Sequence, residues 1–249
     1  MSDTVEILNP QGQGQVVILC EHASHHIPQI YDGLGLAPEH REGHAVWDPG
    51  ARALSLQLSK MLDAPVVASC VSRLVYDCNR PPNAHSAMPV KSELVDIPGN
   101  IDLSQTDRDL RIMSVYEPFC AAVSQVLEHA KADTVVVTVH SFTPVYYGKR
   151  RRVELGLLHD EDSRLVDAML AHKAALPKRV TLRNEPYGPE DGVTHSLRIH
   201  ALSRGLANVM IEVRNDLLQT DEQISAMAQE ILTLLMPALK EIAFKEDES

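Results

Sequence analysis

Thr134-Val135-Val136-Val137-Thr138-Val139-His140-Ser141-Phe142-Thr143-Pro144 decides how the rest of the chain is read. Thr134 to Val139 is β-branched and apolar nearly throughout, the pattern of a strand buried on both faces of a sheet. A histidine and two hydroxyl side chains follow where that strand should end. The arrangement recurs along the chain. Val16 to Cys20 runs into Glu21-His22-Ala23-Ser24-His25, and Pro65 to Val71 into Arg73-Leu74-Val75-Tyr76-Asp77-Cys78-Asn79-Arg80. Asn208 to Val213 carries Glu212 and runs into Arg214-Asn215-Asp216. Val153 to Leu158 reads as one more strand, and Thr181 to Arg183, before Asn184-Glu185-Pro186-Tyr187, as a weaker one.

Longer stretches with helical spacing lie between these runs, at about Pro49 to Leu62, Arg108 to Ala130, Ser163 to Ala174, Ser196 to Ser203 and Asp221 to Ile242. Ala53, Leu54, Leu56, Leu58, Met61 and Leu62 give the first an apolar face, and Asp221 reads as the N-cap of the last. Alternating strands and helices predict an α/β fold, a three-layer sandwich around a mixed, largely parallel sheet. Open sheets of this kind bind ligands at the carboxyl ends of their strands. The histidines, carboxylates and arginines that follow the strands are therefore expected to converge, although they are far apart in sequence.

With 249 residues, 44% of them hydrophobic, the chain can bury a full core, and residues 1–249 are expected to form a single domain. The formal net charge of -11 argues against a nucleic-acid partner or an anionic membrane surface, both of which call for clustered Lys and Arg. The basic cluster Lys149 to Arg152 is short and reads as a solvated loop. No apolar run approaches the ~20 residues of a membrane helix, and the amino terminus lacks a signal-peptide pattern. The cytoplasm is the expected compartment, and the sequence sets no oligomeric state. Cys20, Cys70, Cys78 and Cys120 show no metal-knuckle spacing and read as small hydrophobes. No G-x-G-x-x-G or G-x-x-x-x-G-K follows a strand, and there is no G-x-S-x-G elbow, so nucleotide enzymes and serine hydrolases are disfavoured.

What remains is metal and carboxylate chemistry. His22 and His140 end separate central strands, and neutral imidazole is a common zinc ligand in catalytic sites with three protein ligands and one open position. The third ligand is either Asp48, at the start of a helix after Trp47, or His25. Asn79-Arg80, with Arg73 seven residues earlier, offers a planar fork for a substrate carboxylate. Asn184 and Tyr187 lie in a loop that could shape the pocket, and Arg214 and Asn184 are further substrate-binding candidates. Glu212 interrupts a core strand, and a buried carboxylate there must be compensated or functional. A raised pKa beside an activated water would suit it as a general base.

Taken together, these segments resemble the N-formylglutamate amidohydrolase family. The similarity runs through His22-Ala23-Ser24 with Pro28, Trp47-Asp48-Pro49-Gly50-Ala51, Ser72 to Pro81, Val139 to Thr143 and Ile211 to Asp216. The resemblance implies a fold similar to that of zinc-dependent exopeptidases and related deacylases. It implies hydrolysis of an N-acyl amino acid with a free carboxylate, above all N-formyl-L-glutamate, by a zinc-activated water. His22, His140 and Asp48 then match metal-ligand positions, with His25 standing where the relatives place a glutamate ligand. Asn79 and Arg80 match the substrate clamp, Arg73 a helper arginine and Glu212 the general base. Two other readings use the same residues: a zinc exopeptidase with a longer groove, or a non-catalytic anion-binding protein.

Overall fold

The computed structural model describes residues 3–131 and 133–247. Seven strands form the main sheet: β1 (Val5–Leu8), β2 (Val16–Cys20), β3 (Val66–Ser69), β6 (Val135–Phe142), β9 (Leu155–Leu158), β10 (Thr181–Arg183) and β11 (Asn208–Arg214). Their order is β1-β3-β2-β6-β11-β9-β10. The four central strands β3, β2, β6 and β11 are parallel, β1 joins antiparallel at one edge, and β9 runs antiparallel to β11 while pairing parallel with β10. Two short hairpins stand apart, β4 (Lys91–Ser92) with β5 (Val95–Asp96) and β7 (Val145–Tyr146) with β8 (Lys149–Arg150).

The central strands are apolar on both faces because helices cover both. Val135, Val137 and Val139 of β6 face one core, shared with Leu54 and Leu58 of α1 (Ala51–Leu62), Leu165 and Met169 of α4 (Arg164–Ala171), and Ile231 and Leu235 of α5 (Asp221–Asp247). Val136 faces the opposite core, with Val17, Leu19 and Val67 and with Phe119 and Val123 of α3 (Glu117–Leu127). The mixed, mostly parallel sheet between helices is the expected α/β architecture. Strand alternation puts Glu21, His140 and Glu212 on this second side, because each is an even number of residues from Leu19, Val136 or Met210.

Element ends differ from expectation for identifiable reasons. β6 continues to Phe142, so His140 and Ser141 belong to the strand, held by a ladder that sets Glu212 of β11 opposite His140. The expected helix at 108–130 begins earlier, as α2 (Gln105–Arg111), because Ser104 Oγ accepts the Asp107 amide. A π turn at Ile112–Tyr116 then leads into α3. The stretch 196–203 is not an α-helix but a π turn (Leu197–Ala201) and a 3₁₀ turn ending at Gly205, whose φ is 69°. Asp221 is the first residue of α5 rather than its cap. Thr220 fills that position, since its Oγ1 accepts the Gln223 amide while Gln223 Oε1 accepts the Thr220 amide.

Candidate active site

Three side chains from three separate segments meet at the carboxyl end of the sheet. His22 follows β2, His140 lies in β6, and Asp48 precedes α1 in a turn whose Gly50 has φ 84°. A Cβ at Gly50 would stand 2.5 Å from Leu218 Cβ, so only glycine fits the turn that delivers Asp48. The Asp48 amide also donates to the His22 carbonyl at 3.0 Å, which fixes one segment against the other. All three side chains are buried.

Their donor atoms form a small triangle. His22 Nδ1 lies 3.1 Å from Asp48 Oδ2, His140 Nδ1 lies 3.0 Å from the same oxygen, and the two Nδ1 atoms are 3.1 Å apart. Tetrahedral coordination with bonds of about 2.0–2.1 Å spaces its ligands by roughly 3.3 Å, so the triangle is close to the size that a zinc ion requires. Two imidazole nitrogens and a carboxylate oxygen are also the donor types that zinc prefers. The residues fit a divalent metal. His25, the alternative third ligand, is exposed and meets the Trp47 ring edge-on, outside this cluster. Asp48 lies in the cluster because the turn at Gly50 aims it inward, whereas the chain after His22 leads outward.

Each histidine has a buried carboxylate behind it that was not among the expected site residues. Asp77 Oδ1 accepts from His22 Nε2 at 2.7 Å, and Glu21 Oε2 lies 3.3 Å from His140 Nε2. Carboxylates in this position set the tautomer that leaves Nδ1 free for a metal. Arg73 ties the two carboxylate groups together, Nη1 to Asp48 Oδ1 at 3.2 Å and Nη2 to Asp77 Oδ2 at 2.8 Å. Burial opposes the charge on Asp48 and Asp77, yet the histidines and Arg73 hold both well below the usual carboxylate range. Burial likewise opposes a charged His140, but Glu21 and Asp48 outweigh it and favour positive charge on the ring. A cluster this rich in buried carboxylate is one that a divalent cation would balance.

Glu212 is different. Burial pushes its carboxyl up to about 7, and Asp48 adds to that rise, while His140, His22 and Arg73 pull the other way. Its Oε2 is buried with no hydrogen-bond partner among the described residues. A carboxyl with this pKa, beside the donor triangle and on the wall of the same cavity, is suited to exchanging protons near neutral pH.

The cavity at this sheet edge measures about 310 Å³ and is lined by His22, Asp48, His140, Glu212 and Arg73. Arg80, Asn79, His44, Glu93, Tyr146 and Tyr187 also line it. Arg80 directs one Nη1 hydrogen to the Asn79 carbonyl at 2.8 Å and makes no ion pair among the described residues. The three other expected substrate contacts are engaged within the protein. The Asn79 side chain reaches the cavity wall, but its amide donates to the Val193 carbonyl and its oxygen accepts the Ser196 amide, so it anchors the 193–196 segment. Arg214 is held by Asp216 at 2.8 Å, Glu154 at 3.3 Å and the Arg151 carbonyl at 3.3 Å, away from the cavity. Asn184 adopts φ 46° and accepts the His159 amide at 2.9 Å, so it shapes a loop outside the cavity. The basic cluster is not uniformly solvated either, for the Arg151 guanidinium lies against the rings of Phe142, Tyr146 and Tyr187.

A family model described as N-formylglutamate amidohydrolase matches residues 14–219. Among solved structures, a gene product of Agrobacterium tumefaciens shares 51% identity over 96% of each chain, with a TM-score of 0.94. The N-formylglutamate amidohydrolase of Ralstonia eutropha shares 19% identity over 99% of this chain and 100% of its own, with a TM-score of 0.70, a likeness of fold. No curated protein is significantly similar in sequence. With the family match extending over most of its length, from the strand before His22 to the segment after Glu212, the chain belongs to the N-formylglutamate amidohydrolase family.

Proposed function

We propose that the protein is a zinc-dependent amidohydrolase that cleaves the amide of a small N-acyl amino acid, N-formyl-L-glutamate or a close analogue. The observation that carries this reading is the juxtaposition of the His22, Asp48 and His140 donor triangle with Glu212, whose carboxyl is pushed up to about 7. His22, Asp48 and His140 hold the metal, which when bound makes a water more acidic and polarises the carbonyl to be cleaved. Glu212 takes a proton from the attacking water and returns it to the leaving nitrogen, a double duty that a pKa near neutrality permits. Arg73 keeps Asp48 and Asp77 in place and presents its charge to the oxygen that becomes negative as the carbonyl is attacked. Arg80, with no ion-pair partner among the described residues, receives a substrate carboxylate.

A cavity of about 310 Å³ suits an acylated amino acid better than a long peptide, which favours deacylation over an exopeptidase activity. The test is release of formate and free amino acid by the zinc-loaded protein from N-formyl-L-glutamate, set beside a panel of short peptides. Glu212→Gln is expected to keep its metal and lose turnover by at least about a hundredfold, the scale of general acid-base catalysis. Undiminished activity in that variant would refute the role. Ligand binding with no metal requirement and no dependence on Glu212 would instead favour a non-catalytic binder. The residues are proposed to act within one domain of a cytoplasmic protein.

A further inference from the structure

The two hairpins that stand apart from the main sheet meet at the cavity. Ser92 and Glu93 of the β4–β5 hairpin and Tyr146 of the β7–β8 hairpin line it, and so does His44. The lining grades from buried to exposed. His140 and Glu212 are 2% and 5% exposed, whereas Tyr146 is 37% exposed and the His44 side chain 45%, so the hairpins occupy the solvent end.

Each hairpin is closed at its root. The Ile97 amide donates to the Val90 carbonyl at 2.9 Å below the first, and the Arg151 amide donates to the Pro144 carbonyl at 2.8 Å below the second. The tips, with Leu94 and Tyr147, are exposed, and the Glu93 side chain joins them. Its Oε1 accepts the Tyr147 amide at 3.1 Å, and its Oε2 lies 2.8 Å from His44 Nε2. The Tyr147 hydroxyl reaches back to the Glu93 carbonyl at 3.5 Å. One carboxylate thus links both turns to the segment before Asp48. Burial opposes its charge, but His44, the Tyr147 amide and Arg151 outweigh burial and lower its pKa. Both turns also hold a bulky residue in the left-handed region, Glu93 at φ 51° and Tyr147 at φ 46°, a backbone state that persists where surrounding contacts fix it. A cavity wall made from two separate hairpins keeps its size only while their tips stay joined.

We propose that Glu93 sets the upper size of the substrate, clasping the two hairpins at the solvent end of the cavity so that a short N-acyl amino acid fits and a longer one is refused. This rests on the amidohydrolase reading and deepens it, since it assigns the size limit of that site to one carboxylate outside the donor triangle. Glu93 is a positioning residue, acting through the hairpins rather than on the amide that is cleaved.

The experiment has two readouts. The first is kcat/KM of the zinc-loaded protein for N-formyl-L-glutamate, set against N-hexanoyl-L-glutamate and N-formyl-L-glutamyl-L-alanine, which lengthen the substrate at either end. Wild type is expected to favour the short compound over each by about tenfold or more, and Glu93→Ala to cut the discrimination against at least one of them to about threefold or less. Glu93→Gln, which can still accept the Tyr147 amide, should keep part of it, and melting curves establish that each variant is folded. The second readout is amide hydrogen exchange followed by mass spectrometry. Residues 143–151 should exchange faster in Glu93→Ala, while the buried strand β11 should not. Unchanged exchange at 143–151 would overturn the clasp. Equal use of short and long compounds by wild type, or discrimination that survives Glu93→Ala, would overturn the size limit. Absence of turnover with all three compounds would refute the amidohydrolase reading instead. Calorimetric binding of the same compounds would then decide the size limit: a wild-type preference for the short one that Glu93→Ala removes would uphold it, and any other result would overturn it.

Discussion

Asp77→Asn separates a metal-positioning role from a role in folding. Asp77 accepts from His22 Nε2 at 2.7 Å, from Arg73 Nη2 at 2.8 Å and from the Asn79 amide at 2.9 Å, and it is buried. Asparagine keeps the shape and can still accept from the Asn79 amide or from His22, but it removes the charge facing both His22 and Arg73. It no longer favours the tautomer that presents Nδ1 to the triangle. Loss of such an outer carboxylate typically weakens metal binding by about 10–100-fold, equivalent to roughly 1.4–2.7 kcal/mol. The ion pair with Arg73 also weakens, and through it the hold on Asp48, so the upper half of that range is expected. Zinc affinity is measured by competition with a chromogenic chelator for wild type and variant, with Asp216→Asn as a control that touches Arg214 and not the cluster. Thermal melting of the metal-free forms registers any change in folding. Unchanged zinc affinity in folded Asp77→Asn would refute the claim that this carboxylate prepares His22 as a ligand.

Three further outcomes follow from particular residues. Zinc should raise the melting temperature in a concentration-dependent way, since binding to the folded chain alone stabilises by mass action, and this rise should vanish in Asp48→Ala. Arg80→Met is expected to raise KM by roughly 10–100-fold through loss of a carboxylate contact, with a smaller change in kcat; an unchanged KM would remove Arg80 from the substrate site. His200 is buried in an apolar setting near Phe119, and burial pushes its pKa down to about 4, helped by Arg204 and opposed by Glu21. Between its ordinary value of about 6.5 and the folded value, the unfolded chain binds the proton and the folded chain does not, so stability falls as pH falls through that window. That drop corresponds to about 3 kcal/mol lost by pH 4, and His200→Leu should lose that much less between pH 7 and 4 in urea unfolding. Parallel losses in both proteins would refute the assignment.

The sheet was legible because buried parallel strands announce themselves as short Val- and Ile-rich runs. The edge strand β1 was harder to see: Val5-Glu6-Ile7-Leu8 is only four residues long and partly exposed. His22, His140 and Glu212 stood out as polar residues at the ends of apolar runs, a pattern that points to the active edge of a sheet. The same pattern marks Glu21, and counting alternate residues from Leu19 places it on the face of His140. Asp77 offered no such signal, because a loop has no periodicity and Arg73 and Arg80 were equally plausible partners for it. Asn79 and Arg214 carried the right chemistry for substrate, but the 193–196 backbone engages the Asn79 carboxamide, and carboxylates and a carbonyl hold Arg214. Arg151 was hidden in a basic run, and only the fold brings Phe142, Tyr146 and Tyr187 around it.

His22, Asp48 and His140 are proposed to hold a catalytic metal. The most direct measurement is metal content by mass spectrometry after zinc reconstitution, in wild type and in His140→Ala prepared alongside. About one zinc per chain is expected in wild type, and its loss in the folded variant. No bound metal in reconstituted wild type, or full retention in His140→Ala, would contradict it.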